Sequence, residues 1–219
     1  MKKVTAIIAV RKGSKRIPEK NIRPFAGTSL LEIKLKQLCR IDGIDEIIVS
    51  TDCEKMSKIA MSHGAVVFMR DARLASDHVP MNEVYEYLAG LASCDHVMYV
   101  HVTSPLLKDA SIDRCIREYQ NMSPERDSLA TVKSLKEYLW DKEGAINYDP
   151  SFHPRSQDLP EIYALNFAIN MIPKDLMIKN RNIVGRKLHP VVLDNIESID
   201  VDYQEDFDVA ELIYKEMYK

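Results

Sequence analysis

Along the chain, apolar positions fall into short continuous runs separated by helical stripes. Val4 to Val10 is almost entirely aliphatic, the composition of a strand buried on both faces. Glu46 to Ser50, Ala65 to Met69, His96 to His101 and Ser128 to Lys133 repeat the pattern. Between these runs, apolar residues recur at three- and four-residue spacing. Ser29 to Ile41 carries Leu30, Leu31, Ile33, Leu35, Leu38 and Ile41 on one stripe, with Ser29 as candidate N-cap. A second helix is expected from a cap at Asp52 to His63, stopped by Gly64, and further helices over 81–92 and 109–120. This alternation predicts a doubly wound, right-handed α/β domain with a mostly parallel sheet and helices on both faces.

After Ser134 the rhythm changes. Leu135 to Asp158 holds Trp140, Gly144, Pro150 and Pro154 and no long helical stripe. Ile162 to Ile172 alternates weakly, 174–179 reads as a short helical turn, 188–193 as a strand and 203–218 as a closing amphipathic helix. The expectation is a single domain over 1–219 with an antiparallel, β-rich excursion at 135–190. That excursion is too thin to bury its own apolar residues, which points to a homodimer formed through it.

Composition narrows the function classes. The chain has 219 residues, 46% hydrophobic and 29% charged, with net charge −3, so a general nucleic-acid binder is disfavoured. Four cysteines, at 39, 53, 94 and 115, show no C-x-x-C spacing and read as free thiols in a reducing compartment. Met1-Lys2-Lys3 before an apolar run imitates a signal peptide, but the run is too short and Arg11 ends it. With no stretch long enough to cross a membrane, a cytoplasmic protein is expected.

Candidate chemistry concentrates where the first strand ends. Arg11, Lys12, Lys15, Arg16 and Lys20 crowd a loop that also holds Gly13 and Pro18, with Glu19 its single acid. In open α/β sheets ligands bind outside the carboxyl ends of the strands. Gly13 permits close backbone approach, and successive N–H groups in such a turn can cup an anion. A solvated basic loop has the same residue types; its placement after a buried strand favours a phosphate site. Neither G-x-G-x-x-G nor G-x-x-x-x-G-K-[ST] occurs in the chain. Asp200-Val201-Asp202 offers two carboxylates at i and i+2, facing one side of an extended segment. By spacing alone it is either an acidic turn before the last helix or a pair of hard ligands for Mg²⁺ on phosphates. No H-x-H, H-E-x-x-H or nucleophile-elbow sequence is present, which argues against zinc and a Ser–His–Asp triad.

The stretch Val10-Arg11-Lys12-Gly13-Ser14-Lys15-Arg16-Ile17-Pro18-Glu19-Lys20-Asn21 closely resembles the characteristic loop of the acylneuraminate (sialic acid) cytidylyltransferases, roughly A-R-x-G-S-K-x-[IL]-P-x-K-N. Ser50-Thr51-Asp52, Arg70 with Leu74-Ala75-Ser76-Asp77, Thr103-Ser104-Pro105-Leu106, Leu159-Pro160 and Ser198-Ile199-Asp200-Val201-Asp202 are similar to further stretches of that family. The resemblance spans nearly the whole chain. It implies a Rossmann-like nucleotidyltransferase fold and transfer of CMP from CTP to an acidic nine-carbon sugar. It also implies Mg²⁺ on Asp200 and Asp202, with Arg11, Lys20 and Asp202 as catalytic residues. CTP would be bound by Arg11, Gly13, Ser14, Lys15, Lys20, Asn21, Arg70, Ser76 and Asp77, with Asn21 and Arg70 reading cytosine. The sugar would meet His101, Ser104, Arg155, Asn166 and Phe167.

Departures from the family pattern gather in the sugar half. His101 stands in place of a glutamine, Leu107 of an arginine and Phe167 of a glycine, and Asn170 lies near a usual tyrosine. An acidic sugar needs a cation or donor for its carboxylate. With Leu107 apolar, Arg155 or Lys108 is expected to serve. Other acceptors in view are pseudaminate, legionaminate, deaminated neuraminate and an octulosonate. A non-catalytic nucleotide-binding module is the reading from a different class.

Overall fold

The computed structural model describes residues 1–218. Strands and helices alternate as β1 (Val4–Ala9), α1 (Leu30–Leu38), β2 (Glu46–Thr51), α2 (Glu54–Ser62), β3 (Val66–Met69), α3 (Met81–Leu91), β4 (His96–Val100), α4 (Asp109–Gln120) and β5 (Ser128–Leu135). Two short strands follow, β6 (Trp140–Asp141) and β7 (Gly144–Ala145), then a 3₁₀ turn at Ser156–Asp158. The chain ends with β8 (Ile162–Pro173), α5 (Lys174–Asn180), β9 (Leu188–Leu193) and α6 (Gln204–Met217). Among the described residues the main sheet has seven strands in the order β3-β2-β1-β4-β8-β5-β9. Neighbours pair in parallel except β8, which runs antiparallel to both β4 and β5.

The continuous apolar run of β1 has a direct cause. Ala6 and Ile8 face one core, with Leu31, Leu35, Met56, Ile112 and Phe207, while Ile7 faces the other, with Val84, Leu88 and Met177. Each such aliphatic side chain, once buried, contributes about 1.5–3 kcal/mol. Helices α1, α2, α4 and α6 cover the first face and α3 and α5 the second, as a doubly wound fold requires.

Two local expectations change. Asp52 does not cap α2; the N-cap is Cys53, without a side-chain bond, and Asp52 Oδ1 instead accepts from Lys12 N at 2.8 Å. The carboxylate is drawn to the cationic loop rather than to its own helix. Ser29 does cap α1, accepting from Glu32 N at 3.3 Å. The excursion expected at 135–190 is narrower, because β8 lies inside the main sheet. Residues 162–167 are alternately half-buried and exposed, whereas 168–172 are buried throughout. The weak alternation in the sequence is thus two burial regimes spliced into one strand. What stands outside the main sheet is about 136–161, with the β6–β7 pair and stacked rings of Tyr138 and His153.

Strand β8 also bulges over the site. Val132 faces Leu165 and Ala130 faces Asn170, so Thr131 alone opposes residues 166–169. The Thr131 hydroxyl closes the gap, accepting from Ile169 N (3.0 Å) and donating to Asn166 Oδ1 (2.6 Å). Within the bulge Phe167 takes φ +57°, a left-handed conformation costing a non-glycine residue roughly 1–2 kcal/mol.

Helix α1 carries an unusual core residue. Lys34 is fully buried; its Nζ donates to Gln37 Oε1 at 2.7 Å and to the Ser104 carbonyl at 3.1 Å. Burial pulls its pKa down to about 7, against the opposing charge of Asp109. Between pH 7 and the ordinary lysine value, the unfolded chain binds a proton that the fold does not, so stability rises with pH across that window. Urea titrations at pH 7 and pH 9 are expected to show a higher midpoint at pH 9, a gain on the order of 1–3 kcal/mol. In Lys34→Met the rise should flatten; a wild-type midpoint that falls over this range contradicts the assignment.

Candidate active site

The cationic loop is strapped down at its base. Val10 N extends the β1–β2 pairing by donating to Ser50 O (3.0 Å). Asn21 Nδ2 donates to Arg11 O (3.3 Å), and Arg70 donates to Val10 O (3.0 Å). Ile17 is fully buried beneath the loop. Four cations are thereby held at the carboxyl end of β1, and two carboxylates divide them. Asp77 takes Arg11 (2.5 Å) and Lys15 (2.6 Å), while Asp202 takes Arg16 (2.9 Å) and Lys20 (3.6 Å). Hydrogen bonds from Lys15 and then Arg11 hold the Asp77 carboxyl below the usual carboxylate range. Burial lowers the Lys20 pKa, with Asp202 and Asp200 opposing the shift.

A cavity of about 390 Å³ opens among Arg11, Ser14, Lys15, Arg16, Lys20 and Asn21. Arg11 is shared with a second cavity of about 250 Å³, lined by Arg70, Leu74, Ser76, Asp77, Val79 and Val84. The first is polar and cationic, sized for phosphates; the second has apolar walls beside a buried guanidinium whose Nε has no partner. A Cβ built on Gly13 meets nothing within 4 Å, so the fold itself does not demand glycine there. Close approach by a ligand would. A larger groove of about 680 Å³ lies at the other end of the sheet around Lys2 and His96. There Lys2 Nζ is paired with Tyr119 O and His96 with Tyr119 Oη, and the groove lies at the end of the sheet away from the carboxyl ends of the parallel strands.

Asp200 and Asp202 flank Val201, which is fully buried and donates its N–H to Thr103 O at 2.8 Å. The Val201 carbonyl accepts from Lys20 Nζ at 2.6 Å, which ties this segment to the loop. Asp206, not Asp202, does the capping work on α6, accepting from Asp202 N and Tyr203 N. Burial raises the Asp200 pKa, a hydrogen bond from Thr103 opposes this, and the charge of Asp202 adds to the rise. Two mutually repelling carboxylates beside a phosphate-sized cavity fit a Mg²⁺ that takes its remaining ligands from substrate phosphates and water. Among the described residues no cluster of three or more protein ligands occurs, so substrate would have to complete such a site.

The residues expected around a sugar are brought together only in part. His101 sits between Tyr99 (5.0 Å between ring centroids) and Phe167 (6.0 Å), with Nε2 buried and unpartnered. Burial, and then the charge of Lys20, pushes its pKa down to about 4, so at neutral pH it is an uncharged hydrogen-bonding group. Ser104 is buried at the turn after β4. Asn166 is committed to the bulge through Thr131 and Ala168 N, with Ser198 on its amide nitrogen. Arg155 makes its contacts on the excursion, 73% exposed and paired with Asp158 at 2.8 Å. Lys108 is held by Asp194 (2.8 Å) and Glu197 (3.5 Å). Sequence reasoning marked Thr103 only as part of a family-like turn and passed over Thr131 and Lys34. Of these, Lys34 left a trace, a lysine on the apolar stripe of α1.

A cationic strand-to-helix loop facing paired carboxylates, at the open end of a doubly wound sheet, is the arrangement of an α/β nucleotidyltransferase. The chain belongs to the cytidylyltransferase family, whose sequence profile matches residues 5–196. It is 28% identical to a CMP-N,N'-diacetyllegionaminic acid synthase of Legionella pneumophila, over 95% of each chain. It is 27% identical to an N-acylneuraminate cytidylyltransferase of Streptococcus agalactiae, covering 94% of this chain and 52% of that one. In fold it is similar to a solved CMP:2-keto-3-deoxy-manno-octonic acid synthetase complexed with CTP, with a TM-score of 0.72 at 13% identity, over 98% of this chain and 99% of that one.

The Asp77 clasp makes a prediction. Asp77→Asn removes the carboxylate shared by Arg11 and Lys15, so inorganic tripolyphosphate should bind several-fold tighter by calorimetry at low salt. Unchanged or weaker binding would show that Asp77 does not hold these cations away from an anion.

Proposed function

We propose that the chain transfers CMP from CTP to a nonulosonic acid of the sialic-acid type, releasing pyrophosphate. The observation carrying this reading is the pair of adjoining cavities that share Arg11. One is lined by the loop cations and the other by Arg70 with apolar walls. In this arrangement the triphosphate replaces Asp77 and Asp202 as partner of the loop cations, and the cytosine enters beside Arg70 and Asn21. The anomeric hydroxyl of the sugar attacks the α-phosphorus in line, and pyrophosphate leaves toward Arg11, Lys15 and Lys20. Such transfer depends on positioning and charge neutralisation more than on covalent catalysis. Asp200 and Asp202 would hold Mg²⁺, which when bound supplies further neutralisation of the phosphate oxygens. Legionaminate and N-acylneuraminate in the names of the relatives support an acidic 3-deoxy-2-keto sugar as acceptor.

The acceptor pocket of this chain is its own. Lys20, whose charge reaches His101, is a cation on the acceptor side in addition to Lys108 and Arg155, which are exposed and paired with carboxylates. Phe167 narrows the pocket where glycine would leave space. The reading includes a cytoplasmic location, supported by four cysteines without disulfides. It also includes a homodimer through the excursion, where Trp140, Ile146 and Phe152 stay exposed.

Pyrophosphate release from CTP is to be measured across N-acetylneuraminate, its deaminated analogue, the legionaminate and pseudaminate diamino sugars, and an octulosonate. Turnover with at least one nonulosonate is expected. Asp202→Asn should lower kcat by orders of magnitude in Mg²⁺. Absence of turnover with every acid would favour a non-catalytic nucleotide-binding module, and normal turnover by Asp202→Asn would remove the metal assignment.

Phe167→Gly relieves the left-handed strain and opens the pocket. Relative to the diamino sugars, kcat/KM for N-acetylneuraminate is expected to rise at least several-fold in this variant, a pocket-size effect of the order given by one or two methylenes. An unchanged ratio would place Phe167 outside the acceptor pocket.

A further inference from the structure

Asp206 holds the aspartate segment at its C-terminal end, through Asp202 N, but Val201 at its centre is held from distant parts of the chain. Val201 N hangs from the Thr103 carbonyl (2.8 Å), in the turn that follows β4. That turn is itself held from below by α1. Lys34 Nζ donates to the Ser104 carbonyl (3.1 Å), and Gln37 Nε2 donates to the Leu107 carbonyl (2.7 Å). Lys34 and Gln37 are bonded to each other, and Gln37 is oriented by Asp109 (2.8 Å), which pairs with Arg40 at the surface. On the far side, the Val201 carbonyl fixes Lys20 (2.6 Å). Hydrogen bonds joined by the backbone of residues 103–104 and of Val201 thus link the buried face of α1, through the turn, to Asp200–Asp202 and the cationic loop.

A lysine is an expensive choice for this place. Burying an ammonium without a directly bonded carboxylate opposes folding, and a leucine or methionine would fill a helix stripe at lower cost. Packing therefore does not account for Lys34. Both of its bonds are to polar oxygens, and one of these belongs to the turn carrying the Thr103–Val201 link. Pro105 follows Ser104, so the turn lacks a backbone N–H there, and besides Lys34 the Ser104 carbonyl accepts a long turn bond from Leu107 N, at 3.5 Å.

We infer that Lys34 is a positioning residue of the transfer reaction, fixing the turn at 103–107 so that Asp200 and Asp202 are presented to the phosphate cavity. Lys34 lies beneath the turn and acts through the Ser104 carbonyl directly and through Gln37 on the Leu107 carbonyl. The inference rests on the functional reading above for its effect on turnover, but its structural half is independent of that reading.

The test is therefore double. Amide exchange at Val201 is followed by NMR in the ligand-free protein, with Ile7 and Ile8 of β1 as reference for global opening. In Lys34→Met, exchange at Val201 should accelerate about tenfold or more relative to those references, as expected when a local anchor is lost. In turnover assays kcat should fall roughly tenfold or more, with KM for CTP changed by less than about threefold, the split expected of misplacement rather than lost nucleotide contacts. Lys34→Gln, which keeps a donor near the Ser104 carbonyl, should recover part of both effects. It carries the test alone if Lys34→Met does not fold. Unchanged relative protection at Val201 in a folded variant overturns the inference. A fall in kcat matched by an equal weakening of CTP binding does the same. If the wild-type protein shows no turnover with any acid, the functional reading fails, and the exchange result still decides the structural half.

Discussion

Like charges at one strand end are the constraint from which the rest of this structure follows. Arg11, Lys15, Arg16 and Lys20 converge on one cavity, and without substrate their repulsion would open the loop. The fold supplies two counter-charges from distant parts of the chain, Asp77 from the loop before α3 and Asp202 from the segment before α6. Both are partly exposed, so each pair is weak on its own and exchangeable. On the reading proposed above, an incoming polyphosphate would meet cations already gathered and oriented, Arg11 and Lys20 being held also by the Ala75 and Val201 carbonyls. Ordering of the loop is achieved by folding, and binding has less entropy to lose.

Much of this was legible in the residues because it follows from local pattern. Runs such as Val4–Val10 must be buried on two sides, and the stripe after Ser29 must lie on a sheet. The cationic loop was visible because a buried strand cannot continue through Arg11 and Lys12. The Asp200–Asp202 pair was ambiguous by spacing and took its meaning from the likeness to a family. What remained hidden depends on pairing across long sequence separations. Nothing near Asp52 announces that its carboxylate will choose the Lys12 amide over its own helix. Nothing in Ile162–Ile172 tells that the strand enters the sheet between β4 and β5. Nor does the sequence around Asn166 show that its side chain is consumed by a bulge opposite Thr131. Arg155 was a candidate through the family likeness and Lys108 through its charge beside Leu107, and in the fold each is paired with a carboxylate.

The region around His101 is built differently from the cationic loop. The loop cavity is made of charges on a strapped loop, whereas the region around His101 is made of aromatic rings and a strained strand. His101 is neutral at physiological pH, and Phe167 is held in its left-handed conformation by the Thr131 stitch.

The antiparallel placement of β8 also bears on how the chain reaches this state. Strands β1 to β4 come from the first hundred residues and can pair as consecutive units, but the exposed edge of β4 must wait for residues 162–173. Until then β4 presents unpaired N–H and C=O groups and the apolar side chains of Val97, Met98 and Val100, a template for any strand from another molecule. Strand β5 waits for the same partner. During synthesis both edges emerge before β8 does, and one late segment then joins the two halves of the sheet. Closure is a long-range event of high contact order, so the slow, aggregation-exposed stage of folding falls in the middle of the sheet rather than at its rim.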